Sequence, residues 1–283
     1  MLERCSLTLE LIFLSWYSVL ASGSCKKLER WDRVRAIRDA PALIWPPCNT
    51  PAWMAAHTRF DVNNWSKRIK LILEHCNSKF HVDFNKSKHV GVFPEQVVHW
   101  TWARKQLKHF KTSARIRALV LFSYTSAWLN ELGNNAYITC VDVDATIIKK
   151  AKTNAKLAQR SRTHWVNSDV FKFLKACVNK NLKFNIIIAD PPAVGWINTK
   201  RCNLVPKLAE LITLIDEVCA ARASAVCLNL YSDKYNNVVV HELVKRKVSN
   251  IKTLDSGNVI VREIANEKVG ARIPSSRFVR WTK

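Results

Sequence analysis

Three aspartates that follow hydrophobic segments are the residues of this sequence most able to do chemistry. In FNIIIADPPAVG, residues 184–195, a hydrophobic run leads into Asp190 and two prolines. Proline has no N–H for a sheet ladder, so the chain must leave the sheet at Asp190. In an open parallel sheet, ligands bind at this edge, outside the carboxyl ends of the strands. The alternative is a capped strand followed by a tight turn, and the tripeptide alone does not decide between the two.

The segments around these aspartates predict the elements that position them. Strands alternate with helices from Arg117 onward, a pattern that indicates a parallel sheet with covered faces. The predicted strands are residues 118–122, 136–144, 163–169, 184–190 and 224–232, and the predicted helices are residues 127–132, 145–159, 171–178 and 205–222. Asp142, Asp169 and Asp190 therefore fall at three strand ends. A single such acid is often a helix N-cap, but three in register with successive strands indicate a ligand site.

The charge of the chain indicates the kind of partner. The 283 residues contain 45 Lys and Arg against 22 Asp and Glu, a formal net charge of +23. This excess favours a polyanion, with nucleic acid first and an acidic membrane surface second. In the strand-rich, irregular first hundred residues, Arg30, Arg33, Arg35 and Arg38 do not share one helical face. They form either a solvated strand face or a phosphate-binding surface, and both interpretations stay open. KFHVDF, residues 79–84, alternates and predicts a strand.

The cysteines and the N-terminus indicate a cellular compartment. There are nine cysteines, an odd number without a CxxC pair, which argues against a disulfide framework and against a zinc site. A reducing cytosol fits this pattern best. The segment LTLELIFLSWYSVLASGSC, residues 7–25, superficially resembles a signal peptide, but Glu10 interrupts it and it is too short and polar to span a bilayer. We therefore expect a cytoplasmic protein.

With these motifs in place, the sequence resembles a known family, the class I S-adenosylmethionine-dependent methyltransferases. The segments SGSCKKLERW, HVGVFPEQVVHWTW, LVLFSYTS, IIADPPAVG, LNLYS and IPSSRFVRW are similar to bacterial methyltransferases related to the large-subunit ribosomal RNA cytosine-5 methyltransferases. The resemblance is to a shorter form of this family, which lacks the extra N-terminal RNA-binding module. The resemblance implies a Rossmann-like α/β sheet with helices on both faces, preceded by a smaller strand-rich α+β region. It divides the chain into residues 1–95, where we expect the RNA contact, and residues 96–283, the S-adenosylmethionine-binding domain.

The resemblance also implies roles for individual residues in binding S-adenosylmethionine. The loop under the methionine part of the cofactor would be formed by Phe122, Ser123, Tyr124, Thr125 and Ser126. Asp142, after the second strand, would bind the ribose hydroxyls, as carboxylates there usually do.

The other residues carried over from the family complete the pocket and the reacting centre. Asp169 would accept a hydrogen bond from the adenine amine, with Val170 against the ring. Gln96 would close the pocket from the N-terminal side. Asp190, Pro191 and Pro192 would face the methyl group and the substrate as the catalytic segment. No metal is needed, because the reaction mainly requires nucleophile and methyl carbon to be held in line, about 3 Å apart.

The sequence departs from the family pattern at three places. The cofactor loop carries Ser123 and Ser126 where the family has glycine, and serine in left-handed geometry costs about 1–2 kcal/mol. After the prolines, the usual aromatic and Gly-Arg-Gly are replaced by Val194 and Gly195-Trp196-Ile197, and Trp196 would be a substitute for stacking on a base. The cysteine expected past the fifth strand is missing from the segment NLYS, residues 229–232. Cytosine-5 chemistry requires that thiolate, whereas methylation of an exocyclic amine does not.

Our leading hypothesis is an S-adenosylmethionine-dependent methyltransferase that acts on RNA, with ribosomal RNA as the expected substrate and no membrane partner. The alternative is a catalytically eroded RNA-binding or ribosome-assembly protein that keeps the fold. A methyltransferase of small molecules or proteins is a third reading, against which the basic N-terminal region argues. The oligomeric state and the methylated atom stay open.

Overall fold

The chain forms two compact units, called unit 1 and unit 2. The computed structural model describes residues 1–283 except residues 48–49, 62–63, 77, 86–87, 111–114, 131, 134–135, 161, 193, 198–199, 222, 232–233, 235 and 266–267. Unit 1 consists of Met1–Leu9, His99–Asn258 and Ser276–Lys283, and unit 2 consists of Glu10–Val98 and Val259–Ser275. The functional division at residue 95 that the sequence indicates stays a prediction.

The strands and helices alternate in the order that the sequence patterns predict for residues 117–230. The strands are β1 Leu2–Leu11, β2 Tyr17–Gly23, β3 Lys26–Trp31, β4 Val34–Asp39, β5 Thr58–Asp61, β6 Asn64–Trp65, β7 Ile69–His75, β8 Ser78–Phe84, β9 Arg117–Leu121, β10 Tyr137–Asp142, β11 Thr163–Asn167, β12 Ile186–Ala189, β13 Val194–Ile197, β14 Lys200–Asn203, β15 Ala225–Leu230, β16 Thr253–Ala265 and β17 Lys268–Thr282. The α-helices are α1 Thr50–Met54, α2 Val97–His109, α3 Ala145–Leu157, α4 Val170–Asn179, α5 Leu208–Val218 and α6 Asn237–Lys247. Short 3₁₀ turns cover Pro94–Gln96, Ala127–Asn130 and Val205–Lys207. The predicted helix at residues 127–132 is thus a 3₁₀ turn in its first four residues.

The sheet of unit 1 is Rossmann-like, as the sequence predicts. Its strand order is β11-β10-β9-β12-β15, and all neighbours in this run are parallel. The chain reverses its direction of travel between β11 and β12, so the point between β9 and β12 is the topological switch point where ligands bind in such sheets. The C-terminal part of β17 adds to the far side and pairs antiparallel with β15, an addition that the helix–strand alternation did not indicate.

Helices cover both faces of this sheet. Right-handed crossovers place α3 and α4 on opposite faces, because the two connections run in opposite directions across the sheet. On one face, Leu119 and Leu121 of β9 share a core with α4, α5 and α6. On the other, α3 buries Ile148, Ala151 and Ala155, which are among the apolar residues that its periodicity predicts. This packing fixes the strand ends, and with them the acids that follow the strands.

Unit 2 is strand-rich and built around aromatic side chains. Its sheet runs β2-β3-β4-β5-β6, and β7 and β8 form a separate hairpin that contains the predicted strand at residues 79–84. The ring of Trp31, fully buried, lies 4.7 Å from Tyr17 and 6.1 Å from Phe84. Tyr17, Val19 and Ala21 are buried in β2, so part of the apolar segment at residues 7–25 is a strand of this unit.

The four arginines of unit 2 that the sequence analysis left open divide between structure and surface. Arg38 is buried and its Nη2 donates to Glu29 Oε1 at 2.6 Å. Although burial opposes ionisation, Arg38 and Lys27 hold the pKa of Glu29 well below its ordinary value. Arg30 donates to the backbone carbonyls of residues 14 and 15. Only Arg33 and Arg35 are exposed, so two of the four are available to a phosphate backbone.

Candidate active site

The three acids lie along one edge of the unit 1 sheet, as their positions after the strands predict. Leu121 pairs with both Val141 and Ala189, so Asp142 and Asp190 each lie one residue beyond this row, on the two sides of the loop that follows β9. Asp142 itself pairs with Asn167, and Asp169 comes two residues later. The strand β12 ends at Ala189, so the chain leaves the sheet at Asp190, directly before the first proline. The edge is therefore acidic at the switch point.

The loop at residues 122–126 has an unusual backbone for a segment without glycine. Phe122, Tyr124 and Ser126 have φ angles of 54°, 45° and 58°. Ser126 thus adopts the left-handed geometry that glycine would adopt more easily, while Ser123 does not. The strain also falls on Phe122 and Tyr124, for which the sequence indicated a place in the loop but not left-handed geometry. Left-handed geometry in non-glycine residues costs of order 1–3 kcal/mol each and clusters at functional sites.

Hydrogen bonds hold this strained loop in place. The N–H of Ser123 donates to the carbonyl of Val141 at 3.0 Å, and the N–H of Ser126 donates to the carbonyl of Ser123 at 2.8 Å. The buried side-chain amide of Asn154 in α3 donates to the carbonyl of Thr125 at 3.1 Å. A buried asparagine on the apolar side of α3 was the sequence signal for this contact, and the sequence analysis missed it.

Asp142 connects the loop to the second strand. Its Oδ2 accepts the N–H of Tyr124 at 2.9 Å and its Oδ1 accepts the N–H of Asp144 at 3.0 Å. Burial raises the pKa of Asp142, and these backbone N–H groups oppose the rise because they favour the carboxylate. Each carboxylate oxygen has a second acceptor site. The geometry therefore suits a carboxylate that accepts two more hydrogen bonds from neighbouring hydroxyls.

Asp169 caps helix α4, which is the structural role that a lone strand-end acid often has. Its side chain accepts the N–H of Lys172 at 2.9 Å. Val170 is 4% exposed and packs in the unit 1 core. A capping carboxylate still has acceptor sites for another donor, so the adenine contacts of Asp169 and Val170 stay predictions.

Asp190 is bound from the neighbouring strand by a residue that sequence analysis noted only as the position without a cysteine. The side-chain Nδ2 of Asn229 in β15 donates to Asp190 Oδ1 at 3.3 Å. Pro191 is buried and Pro192 is exposed. The next described backbone is the hairpin β13–β14, and the side chains of residues 193–202 lie outside the described part of the structure. The stacking role of Trp196 therefore stays a prediction.

Asn229 is itself held by two donors. Its Oδ1 accepts Ser276 Oγ–H at 2.8 Å and lies 3.2 Å from His99 Nε2. Burial, with a contribution from Arg280, lowers the pKa of His99 to about 3, so the imidazole is neutral at physiological pH. No local sequence pattern indicates either partner, because His99, Asn229 and Ser276 are far apart in the chain.

Cys227, which pairs with Ile188 beside the strand end at Asp190, is an inert core residue. Cys227 is fully buried in β15, and burial raises the pKa of its thiol to about 12. A thiol with this pKa is protonated and does not attack a base. Cys202 lies in β14, and its side chain is outside the described residues.

Gln96 lies in the 3₁₀ turn Pro94–Gln96 of unit 2 and is buried. Its part in closing the cofactor pocket stays a prediction.

Among the residues that the structure describes, no group of three or more His, Cys, Asp or Glu side chains is arranged to hold a metal ion. None of the described helices is long and apolar enough to cross a membrane.

Comparison with known proteins identifies the family of the chain. The model of the RMKL-like methyltransferase domain matches residues 99–250, which is more than half of the chain. The chain is 38% identical over 80 residues to the ribosomal RNA large subunit methyltransferase I of Yersinia pseudotuberculosis and of Yersinia pestis, covering 27% of this chain. The match spans only 20% of the length of these curated relatives.

Solved structures extend the likeness over the whole chain. A SAM-dependent methyltransferase from Agrobacterium tumefaciens aligns with a TM-score of 0.93 at 25% identity, covering 99% of this chain and 95% of that one. A methyltransferase from Streptococcus mutans aligns with a TM-score of 0.69 at 12% identity over 94% of this chain and 75% of that one, which shows a shared fold.

Proposed function

Because the chain belongs to the RMKL-like methyltransferase domain family, we propose that it transfers the methyl group of S-adenosylmethionine to a base of ribosomal RNA. It is a class I S-adenosylmethionine-dependent methyltransferase by family and by fold. The single observation that carries the site assignment is the carboxylate of Asp142, joined to the loop at residues 122–126 at the switch point of the sheet.

The residues present fit the cofactor. Asp142 would hold the ribose hydroxyls, because both of its oxygens keep acceptor capacity after binding the N–H groups of Tyr124 and Asp144. Phe122 to Ser126 would support the methionine part, and their strained backbone is typical of a segment shaped for a ligand. Asp169 and Val170 would contact the adenine, and Gln96 would close the pocket. When bound, the cofactor supplies a methyl group on a positively charged sulfur.

Asp190, Pro191 and Pro192 would receive the nucleophile at the same edge. A carboxylate here would accept an N–H of an exocyclic base amine and turn the nitrogen lone pair toward the methyl carbon. Cys227 is buried and protonated, so it does not supply the thiolate that carbon methylation of cytosine requires. The described residues therefore favour an amine as the nucleophile.

RNA as the substrate is supported by charge and by relatives. The net charge of +23 favours a polyanion, and the curated relatives are ribosomal RNA large subunit methyltransferases by name. Residues 1–95 would contact the RNA, since Arg33 and Arg35 are exposed and Arg59 and Arg68 are exposed on the same unit. The cytoplasm is the compartment that this proposal implies.

The test is transfer of a radiolabelled methyl group to purified ribosomal RNA. We expect labelled RNA from wild-type protein, no label from Asp142→Ala, and an unchanged product with Cys227→Ser. Mass spectrometry of the nucleosides then identifies the methylated atom, and a 5-methylcytosine product abolished in Cys202→Ser would contradict an amine nucleophile. Tight binding of RNA without any cofactor affinity would contradict the enzymatic proposal.

A further inference from the structure

We propose that Asn229 is a positioning residue, whose side-chain amide holds the carboxylate of Asp190 toward the transferable methyl group. The inference rests on the proposed function only in taking Asp190 to face that methyl group. It concerns a residue on a different strand, 39 positions later in the sequence, in direct contact with the catalytic segment.

The contacts of Asn229 with Ser276 and His99 determine the orientation of its side-chain amide. Ser276 Oγ donates to Oδ1 at 2.8 Å, and His99 Nε2 lies 3.2 Å from the same oxygen. An amide oxygen only accepts, so the neutral imidazole donates from Nε2. With both donors on Oδ1, the NH₂ group is left to face the carboxylate of Asp190, which accepts only. All three contacts agree with one orientation of the amide.

The surroundings make this arrangement rigid. Asn229 is 1% exposed and His99 is fully buried. The imidazole lies 5.3 Å from the ring of Phe278, and the guanidinium of Arg280 lies 4.7 Å from the same ring and 5.0 Å from Trp102. Side chains locked by packing hold a reacting group more precisely than side chains free to rotate.

A hydrogen bond from the sheet to one oxygen of this carboxylate restricts its orientation. Asn229 binds Oδ1, so a residue of the sheet contributes to setting the plane of the Asp190 carboxyl. Proper alignment of such a group contributes strongly to rate, and a displacement of about 1 Å can lower a rate about 100-fold. The amide would therefore act on the nucleophile through Asp190, without touching the substrate.

The experiment uses two cofactor analogues and requires no RNA. S-adenosylhomocysteine lacks the methyl group, and sinefungin carries a primary amine in its place, so the ratio of their dissociation constants reports a carboxylate at the methyl position. For wild-type protein we expect sinefungin to bind about ten-fold more tightly, as hydrogen bonds to charged groups give. In Asp190→Asn the preference should disappear. In Asn229→Ala most of it should be lost while the affinity for S-adenosylhomocysteine is unchanged.

Two further variants separate positioning from general damage to the fold. Leu228→Ala removes a buried side chain from the opposite face of β15 and should lower stability without changing the ratio. Ser276→Ala removes one donor from the amide and should reduce the preference in part, which keeps the test decisive if Asn229→Ala does not fold. A full preference for sinefungin in both Asn229→Ala and Ser276→Ala would overturn the proposal, and so would the absence of any preference in wild-type protein.

Failure of the proposed function would be distinguishable. A protein that shows this pattern of ratios but methylates no ribosomal RNA would contradict the substrate and support the role of Asn229. Where RNA is methylated, Asn229→Ala should lower kcat and leave the KM for RNA unchanged, since the amide does not contact the RNA.

Discussion

The carboxylate of Asp142 and the backbone N–H of Tyr124 are joined by a hydrogen bond of 2.9 Å. The acid predicted to bind ribose therefore also stabilises the strained loop predicted to lie under the methionine part of the cofactor. This one contact couples two parts of the proposed pocket, so we expect a substitution at Asp142 to affect cofactor binding in two ways.

Asp142→Ala should weaken binding of S-adenosylhomocysteine by at least about 100-fold, because it removes hydrogen bonds to a charged acceptor and releases the loop. Isothermal titration calorimetry measures this directly. Asp144→Ala is the matched control, since Asp144 caps α3 through its side chain, and the substitution keeps the backbone N–H that it donates to Asp142. The control should lose about 1 kcal/mol of stability and keep its affinity; equal losses of affinity in both variants would contradict the assignment.

The backbone of the loop predicts opposite preferences at its two serines. Ser126 has a φ of 58°, so Ser126→Gly should be more stable than Ser126→Ala by about 1 kcal/mol. At Ser123, outside the left-handed region, Ser123→Ala should be the more stable of the pair, because glycine loses more entropy on folding. Urea denaturation of the four variants measures both differences. The same order at both positions would show that the φ angles do not govern the loop.

The neutral state of His99 predicts a pH dependence of stability. Its pKa is about 3 in the folded protein against 6.5 for an unperturbed imidazole, so between these values the unfolded chain binds more protons. Stability should therefore fall as pH is lowered from about 6.5 toward 3, by up to about 1.4 kcal/mol per pH unit from this residue. Comparing the pH profiles of wild-type and His99→Gln by denaturation isolates the contribution. Parallel profiles would contradict a buried neutral imidazole.

The buried pair of Glu29 and Arg38 predicts a large stability change in unit 2. Glu29→Gln leaves the buried guanidinium of Arg38 without its counter-ion and should destabilise the protein by about 3–5 kcal/mol. The exposed pair of Lys26 and Asp39 is the control, since both side chains are 42% exposed, and Asp39→Asn should change stability by less than about 1 kcal/mol. Thermal denaturation of the two variants measures both stability changes. A small change in Glu29→Gln would show that the buried guanidinium of Arg38 does not depend on this counter-ion.

Most of the unit 1 fold could be predicted from the sequence, because local hydrophobic patterns indicate its strands and helices. Hydrophobic runs such as residues 186–189 are strands buried on both faces, and the spacing of Ile148, Ala151 and Ala155 gives one apolar helix face. The antiparallel addition of β17 was not predicted, since it pairs with β15 through residues about 50 positions apart in sequence, such as Asn229 and Phe278. The short turn at Ala127–Asn130 was overestimated as a helix because six residues cannot distinguish the two forms.

The sequence by itself determined the class of fold, the acidic edge of the sheet and the excess of positive charge, because periodicity, strand-end position and composition are properties of local segments. Only the tertiary structure decided which groups hold these acids. The N–H of Tyr124 on Asp142, and the chain of contacts from Ser276 and His99 through Asn229 to Asp190, join residues up to 130 positions apart. Such contacts depend on strand order and register, which arise when the core packs, and no local pattern contains them.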